Sequence, residues 1–250
     1  MGWVLQIIGE LLVTVGILLV LFVVWQLWWT NLEANQLQQE KVQELEERFG
    51  GASEPLTPEE YFARTPAEDP GAVSGEFGGF GEPVVTEPPA DQGVGLGVVY
   101  IPRLGENYQR PVIQGVGPAV LDTLGLGHYP STALPGEIGN FALAGHRQTN
   151  GAVLDHIDKL QPGDEIIVRT AQGYYTYTVQ RHEIVLPSNT EVLAPVPGHP
   201  GEQPTERYLT LTSCHPRFGD SERYIVHAKM TGWRPAGAGP PASIAELVTG

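Results

Sequence analysis

The segment RYLTLTSCHP at residues 207–216 is the most informative part of this sequence for the fold. Its leucines alternate with its threonines, which is the period-two pattern of a β-strand with one buried face. The strand leads into a turn through Pro216 to Asp220, and a second strand, RYIV, begins at Arg223. Cys214 is the only cysteine in the chain, and this pattern places it at a strand end beside a loop.

Other short segments of strand character lie on the amino-terminal and carboxy-terminal sides of this stretch, at 98–101, 110–114, 140–146, 165–170, 174–185 and 223–231. The segments 165–170 and 174–185 flank an Ala-Gln-Gly turn and predict a hairpin. Residues 119–124 and 152–160 predict short helices. Seven or eight short strands in about 140 residues predict a mainly β fold, a closed barrel or sandwich of about eight strands with short helices.

The amino terminus has the composition of a membrane-spanning helix. Residues 11–29 are apolar except for Thr14 and Gln26. At about 1.5 Å per residue this run would extend about 28 Å, close to the hydrocarbon thickness of a bilayer. Three tryptophans gather at its end, as at a membrane interface. No small-residue cleavage site follows, so we expect residues 1–30 to be an uncleaved, single-pass anchor in the cell membrane.

The segment after the anchor is acidic and predicts a tether. The net charge is −15, and residues 31–91 alone hold 14 acidic and 3 basic side chains. Residues 31–49 are rich in Gln, Glu and Leu and predict a helix that extends outward from the membrane. Residues 50–94 are rich in Pro, Gly and Glu, a composition typical of a flexible, self-repelling spacer.

These features divide the chain into an anchor at 1–30, a tether at 31–94, a folded domain at 95–233 and a flexible tail at 234–250. The acidic segment after the anchor agrees with an amino terminus inside the cell and a folded domain outside it. No basic stripe exists that could neutralise phosphates, so nucleic acid is excluded as a partner.

Cys214 is a candidate nucleophile, because a lone cysteine in an oxidising outer compartment has no internal disulfide partner. A thiol becomes reactive when a base or a cation lies beside it. His146 ends the strand 140–146 and is the candidate base. Arg223 begins the strand after the turn, where it would lie beside Cys214 and stabilise an oxyanion or hold the substrate backbone.

Each of these residues also has a structural alternative. A lone cysteine is often buried filler in a core, and Arg223 has a rival for the substrate role in Arg217. Arg147 adjoins the candidate base but is expected to face solvent. His227 lies inside a strand and is predicted to be structural. His128 and His215 remain open between two roles, since each would either line a groove or cap a turn.

Three sequence motifs together resemble the sortases, a family of cysteine transpeptidases anchored on Gram-positive surfaces. They are Thr210-Leu211-Thr212-Ser213-Cys214, an arginine nine residues later, and Gly145-His146-Arg147 preceded by Gly136-Glu137-Ile138-Gly139-Asn140-Phe141. The resemblance covers residues 95–233 and implies the closed sortase barrel. The family pattern reads Thr-Leu-x-Thr-Cys, and Ser213 departs from it while it keeps a hydroxyl. Gly127-His128-Tyr129-Pro130 together with Cys214-His215-Pro216 looks most like class E.

The resemblance implies a two-step acyl transfer without a metal or cofactor. Cys214 would attack the threonine carbonyl of a Leu-Ala-x-Thr-Gly or Leu-Pro-x-Thr-Gly sorting motif, and His146 would protonate the departing glycine amine. An amine of lipid II or peptidoglycan would then accept the acyl group, so surface proteins with a sorting motif and a wall precursor are the expected partners.

Four residues are candidates for substrate binding, and among them only the role of Tyr129 follows from the resemblance. Tyr129 would favour alanine at the second motif position, and His215 would line the groove. Thr212 and Ser213 alternate across a strand, so only one of them is expected to face the groove beside the nucleophile.

Several other functions fit parts of the sequence. A class D sortase or a pilus-assembling class C sortase would differ in peptide preference and product, and Asp69-Pro70-Gly71 is similar to the lid motif of class C. That tripeptide is also a common turn. An L,D-transpeptidase pairs the same residue types but has a Ser-His-Gly-Cys order that is absent here. A simple hydrolase would release a free acid, and a non-catalytic wall-binding β-barrel would not need Cys214.

Overall fold

The computed structural model describes residues 2–65, 77–89 and 91–249. Its strands are β1 Gly95–Tyr100, β2 Gln109–Gln114, β3 Leu126–His128, β4 Gly139–Ala144, β5 Glu165–Arg169, β6 Gly173–Val185, β7 Arg207–His215 and β8 Glu222–Pro235. They form a closed barrel in the order β1-β2-β3-β4-β7-β8-β6-β5. The predicted mainly β barrel of about eight strands is confirmed, as is the hairpin of β5 and β6.

The helices are α1 Gly2–Arg48, α2 Pro58–Arg64, α3 Pro118–Leu121 and α4 Ala245–Thr249. The predicted helix at 152–160 is wrong for most of its length, since only Ile157–Lys159 forms a short 3-10 turn. Ala152 has φ 45°, which a right-handed helix does not admit. Strand β3 was missed because it has only three residues, and its pairing with β2 and β4 defines it.

Helix α1 combines an apolar first half with a docked second half. Within the residues described, one segment, Gly2–Val23, is long and apolar enough to cross a membrane, with a mean hydropathy of 2.5. The helix then continues without a break to Arg48. The predicted helix at 31–49 is therefore observed as a direct extension of the apolar segment.

The second half of α1 packs on the barrel through a helical stripe. Ala34, Gln38, Val42 and Leu45 follow one another at intervals of three or four residues, and all four are buried. A Cβ atom added to Gly95 at the start of β1 would lie 2.6 Å from Leu45 Cδ2. The expected tether therefore begins as a helix docked on the barrel, because this stripe buries apolar area that composition alone does not reveal.

Two other segments predicted to be flexible also pack on the barrel. Phe77 and Phe80 belong to the main hydrophobic core, although the spacer around them is rich in Pro and Gly. In the predicted tail, Ile244 is 3% exposed and packs in one cluster with Leu45 of α1. Isolated apolar residues in polar segments anchor the chain in both places. The tripeptide at 69–71 lies outside the described residues.

The β7–β8 hairpin determines which side chains face the core. Leu209 and Leu211 of β7 lie in the main core cluster together with Tyr224 and Val226 of β8. Residues directly opposite on antiparallel strands share a face, and successive residues alternate between faces. Cys214, which pairs with Arg223, therefore lies on the outer face of the barrel wall.

Candidate active site

Cys214 and Arg223 are neighbours across the β7–β8 ladder. They are directly paired in the register, so both side chains emerge on the same outer face. Cys214 is a free thiol that is half-buried. Arg223 donates from Nη1 to the carbonyls of Asp220 at 2.8 Å and Glu222 at 2.9 Å. The turn backbone thus binds the guanidinium, and the pairing of Arg223 with Cys214 across the ladder is the one that the strand–turn–strand pattern predicted.

His146 reaches the same place from the loop after β4. It follows Gly145, where an added Cβ would lie 2.7 Å from Val153 Cγ2 and 2.8 Å from Leu126 Cδ2. Only a glycine lets the backbone pass this close to the core. His146 and Cys214 line one surface cavity of about 210 Å³. The cavity thus joins the candidate base and the candidate nucleophile.

Asp122, which the sequence analysis did not single out, contacts the candidate base. Its Oδ1 atom lies 2.7 Å from His146 Nε2, and the two side chains are 47% and 28% exposed. An ionised carboxylate only accepts hydrogen bonds, so Nε2 carries a proton and Nδ1 is the ring nitrogen left for proton exchange. Asp122 follows α3 as a single acidic residue, and nothing in that local sequence signals its partner.

Arg147 does not face solvent, which corrects the sequence expectation. It is 4% exposed, lines the same cavity as Cys214, and donates from Nη1 to the Cys214 carbonyl at 3.3 Å. Its guanidinium also lies 5.5 Å from the Tyr224 ring centre and pairs with Asp158 at 3.1 Å. These partners come from three separate segments of the chain. The local sequence around Arg147 therefore gives no sign that its side chain is buried.

His215 is bound to the same arginine. Arg147 Nη1 lies 3.0 Å from His215 Nδ1. An arginine only donates, so Nδ1 must accept and the proton of the neutral ring sits on Nε2. The structure therefore gives His215 a partner inside the protein. Of its two ring nitrogens, only Nε2 is left to contact a substrate in the predicted groove.

A second cavity of about 280 Å³ adjoins the first on the outer face of the hairpin, and Tyr129, Thr212, Arg223 and Ile225 are among its lining residues. The Tyr129 hydroxyl lies 3.1 Å from Thr212 Oγ1. The alternation between Thr212 and Ser213 is thereby decided, since Thr212 lines the cavity. Ser213 is 3% exposed and donates to the Gly145 carbonyl at 2.8 Å, so it supports the loop that carries His146 instead of facing a ligand.

The remaining candidates have structural partners. His128 is buried between Gln114 and the Ala133 carbonyl, and burial lowers its pKa. His227 lies 2.9 Å from Glu183 Oε1, and burial lowers its pKa to about 4, as suits a structural residue. Arg217, the rival of Arg223, forms two hydrogen bonds of 2.7 and 2.6 Å with Asp155.

Acidic, histidine and cysteine side chains do not gather into a candidate metal centre anywhere in residues 2–65, 77–89 and 91–249.

Known proteins resemble this chain over the barrel. The Sortase domain family matches residues 99–231. Sortase SrtE1 of Streptomyces coelicolor is 35% identical over 244 residues, which cover 95% of this chain and 60% of that protein. Sortase SrtE2 of the same organism is 31% identical over 90% of this chain and 81% of its own length. The chain thus spans less than two thirds of the first of these relatives.

Solved structures extend the same likeness to the fold. The SrtA sortase from Actinomyces oris matches with a TM-score of 0.62 and 45% identity, covering 65% of this chain and 93% of that one. The sortase E structure from Streptomyces avermitilis matches with a TM-score of 0.56 and 41% identity, covering 62% and 99%. Fold, site and relatives agree, and the chain belongs to the sortase family, in which it is most like class E.

Proposed function

We propose that this protein is a cysteine transpeptidase in which Cys214 is the nucleophile, His146 the general acid and base, and Arg223 the group that stabilises the oxyanion. The observation that carries the proposal is the pairing of Cys214 with Arg223 across the β7–β8 ladder, beside a cavity that His146 also lines. A thiol, an imidazole and a guanidinium around one cavity are suited to acyl transfer.

In the first half-reaction His146 takes the proton of the Cys214 thiol, and the sulfur attacks the threonine carbonyl carbon of a sorting motif. The carbonyl oxygen becomes an oxyanion next to Arg223, whose fixed fork of donors stabilises the negative charge. As the Thr–Gly bond breaks, protonated His146 gives its proton to the departing glycine amine. The products are a thioester on Cys214 and a free amino-terminal glycine fragment.

In the second half-reaction an amine attacks the thioester carbonyl. Neutral His146 takes a proton from that amine, the carbon–sulfur bond breaks, and the thiol is restored. The acceptor we propose is the amine of a lipid II or peptidoglycan precursor. Asp122 keeps the Nε2 proton in place during both steps, so that Nδ1 faces the proton transfer in each direction.

The second cavity is the proposed site for the sorting motif. Tyr129 and Thr212 form a hydrogen-bonded pair at its wall. Arg223 also lines this cavity, and it is the partner of Cys214 in the β7–β8 ladder. A motif laid along it would present its scissile bond to the thiol. We propose a preference for Leu-Ala-x-Thr-Gly, with Tyr129 contacting the second position.

The apolar segment Gly2–Val23 supports a single-pass anchor in the cell membrane, with the amino terminus inside and the barrel outside. In this arrangement the surface proteins that carry a sorting motif and the wall precursor would meet at the same membrane face. A class D or class C activity, a hydrolase and a wall-binding barrel remain as outcomes of the test.

The test uses the full chain in detergent micelles, because residues 31–49 and 77–89 contribute to the packing of the barrel. Leu-Ala-x-Thr-Gly and Leu-Pro-x-Thr-Gly peptides are added with and without a small amine, and the products are followed by mass spectrometry. We expect a thioester on Cys214, a product joined through threonine that needs the amine, and faster reaction of the alanine peptide. The Cys214→Ala variant should give neither adduct nor product.

Each other outcome removes a specific part of the proposal. Free acid as the sole product at every amine concentration would indicate a hydrolase. A faster reaction of the proline peptide would favour class C or class D. The absence of an adduct with either peptide, while the protein is folded and the thiol reduced, would favour a wall-binding role.

A further inference from the structure

The loop that carries His146 has an unusual backbone just beyond the cavity. Asn150, Gly151 and Ala152 are three consecutive residues with positive φ, at 54°, 85° and 45°. Non-glycine residues in this region carry strain of about 1–3 kcal/mol each and persist where surrounding contacts impose the conformation. The loop closes on its own start, since the Leu154 amide donates to the His146 carbonyl at 2.9 Å. Its shape is therefore coupled to the position of His146.

Helix α1 supplies contacts from the other side of this loop. Gln38 Nε2 donates to the Asn150 carbonyl at 3.3 Å, and the Gly151 amide donates to Asn31 Oδ1 at 3.0 Å. Gln38 is 1% exposed, and a Cβ atom on Gly151 would lie 2.5 Å from its Nε2 atom. A residue with a side chain at 151 would have to displace the Gln38 amide from this contact, and the glycine leaves room for the helix and the strained loop to touch.

The side chain of Asn150 connects this loop to the candidate active site. Its Nδ2 atom donates to Asp122 Oδ1 at 3.1 Å, and this same carboxylate oxygen lies 2.7 Å from His146 Nε2. The Asp122 side chain is 47% exposed, so without a second partner it would exchange between rotamers in water. Asn150 gives the carboxylate one orientation.

We propose that Asn150 is a positioning residue for His146, and that α1 holds Asn150 in place through Gln38 and Asn31. The contacts then run from α1 to Asn150, from Asn150 to Asp122, and from Asp122 to the catalytic imidazole. The helix that extends from the apolar segment thus helps to orient the candidate base, in addition to separating the barrel from that segment. The inference rests on the proposed function, in which His146 transfers the proton.

The alternative is that these contacts only stabilise the fold. The two readings differ in what a variant changes. A purely structural role lowers stability and leaves the turnover of the folded protein and the state of the imidazole unchanged. A positioning role lowers kcat at constant KM, because the peptide groove is untouched, and it alters the proton distribution on the His146 ring.

The experiment compares four variants of the full chain in detergent micelles: Asn150→Gly, Asn150→Asp, Gln38→Ala and Gln39→Ala. Glycine at 150 removes the amide but accepts positive φ. Aspartate tolerates the same φ, but it cannot donate and sets a like charge beside Asp122. Gln39 is the matched control, since it is the same residue type on the exposed side of α1. Thermal unfolding of each variant confirms that the fold is retained.

We expect Asn150→Gly to lower kcat for thioester formation about tenfold and Gln38→Ala about threefold, with KM unchanged, within the range of coupling through packed contacts. Asn150→Asp should be slower than Asn150→Gly, whereas Gln39→Ala should equal the unaltered chain. Turnover in Asn150→Gly and Gln38→Ala that equals the unaltered chain would overturn the inference while the proposed function stands.

A second readout does not need activity. The ring nitrogens of ¹⁵N-histidine report the tautomer, and a His146→Gln variant assigns the signal. We expect the neutral His146 ring to be protonated at Nε2 in the unaltered chain and to move toward a mixture of tautomers in Asn150→Gly. An unchanged ring spectrum in that variant would also overturn the inference. If the unaltered chain forms no thioester, the proposed function fails, and this spectrum still decides whether Asn150 positions the ring.

Discussion

The two faces of the β7–β8 hairpin differ in what they do with their polar side chains. On the outer face, Cys214 and Arg223 emerge beside two cavities and can meet a ligand. On the inner face, Ser213 and Tyr224 are buried, and the Ser213 hydroxyl is bonded to a backbone carbonyl. Arg147 packs on the Tyr224 ring of this inner face, bonds to the carbonyl of Cys214 itself and reaches the wall of its cavity.

This difference shows how the candidate nucleophile can line a cavity and still be held in one place. A strand alternates its side chains, so the residue that reacts and the residues that support it are neighbours in sequence but separated by the sheet. Buried hydrogen bonds are strong where water is excluded, and they order the exposed groups across the wall. Changes on the outer face should therefore reduce catalysis, and changes beneath the inner face should reduce stability.

The largest effect is expected for Arg223→Lys on the outer face. Lysine keeps the positive charge but loses the planar fork that the oxyanion requires, so kcat/KM for peptide cleavage should fall by about a thousandfold. Steady-state kinetics of the full chain measure this. The matched control is Arg217→Lys, which changes an exposed partner of Asp155 and should leave kcat/KM within about twofold. Equal losses in both variants would remove the distinction between the two arginines.

A smaller effect, on stability, is expected for Arg147→Met beneath the inner face. Methionine keeps much of the apolar stem, but the Cys214 carbonyl and His215 Nδ1 lose their donor, so the free energy of unfolding should fall by about 3 kcal/mol. Arg217→Met serves as the control, since its side chain is 47% exposed and its pair with Asp155 should contribute less than about 1 kcal/mol. Denaturant unfolding compares the two. A neutral Arg147→Met would show that the inner network does not support the hairpin.

The smallest effect, on the pH dependence of stability, is expected for His227, which is buried on the outer face of the hairpin. Burial and the Arg181 charge lower its pKa to about 4 and outweigh the nearby Glu183 carboxylate. Below the ordinary histidine pKa of about 6.5, His227 takes up a proton in the unfolded chain but stays neutral in the folded chain. The free energy of unfolding therefore falls as the pH falls toward 4. Between about pH 7 and pH 5 this residue should reduce the free energy of unfolding by about 2 kcal/mol.

The His227→Gln variant should remove that part of the acid sensitivity, as unfolding curves at a series of pH values would show. His128, whose pKa is also lowered by burial, contributes to the same trend in both proteins and cancels in the difference. The exposed His199 provides the control, and His199→Gln should keep the full slope. An unchanged slope in His227→Gln would mean that the protonated ring is tolerated at this position.

The sequence was most informative where the pattern is local. Period-two alternation predicted most strands, and the distance between Cys214 and Arg223 predicted their pairing, because a short turn leaves two strands few ways to meet. Ser213 was ambiguous, since alternation says that neighbours differ in face but does not say which face is buried. The docking of Ile244 in the predicted tail depends on one apolar side chain and had no periodic signal.

Residues whose partners come from distant segments were beyond such reasoning. Arg147 was expected in solvent because arginine usually is, and its burial depends on Asp158, Tyr224 and the Cys214 carbonyl all meeting at one point. Asp122 is a single acidic residue after a four-residue helix, and its contact with His146 spans 24 positions. Only the closed barrel brings these groups together.

In the proposed arrangement, with the apolar segment crossing a bilayer, the unbroken course of α1 sets how high the candidate active site stands above it. The helix runs without a break from the apolar segment to Asn31, which meets the loop behind His146. With Gly2–Val23 embedded in lipid, the cavity would lie within reach of headgroups and could turn only as far as the helix turns. A lipid-linked acceptor would then be presented to the thioester by lateral diffusion, and the search for it would take place in two dimensions instead of three.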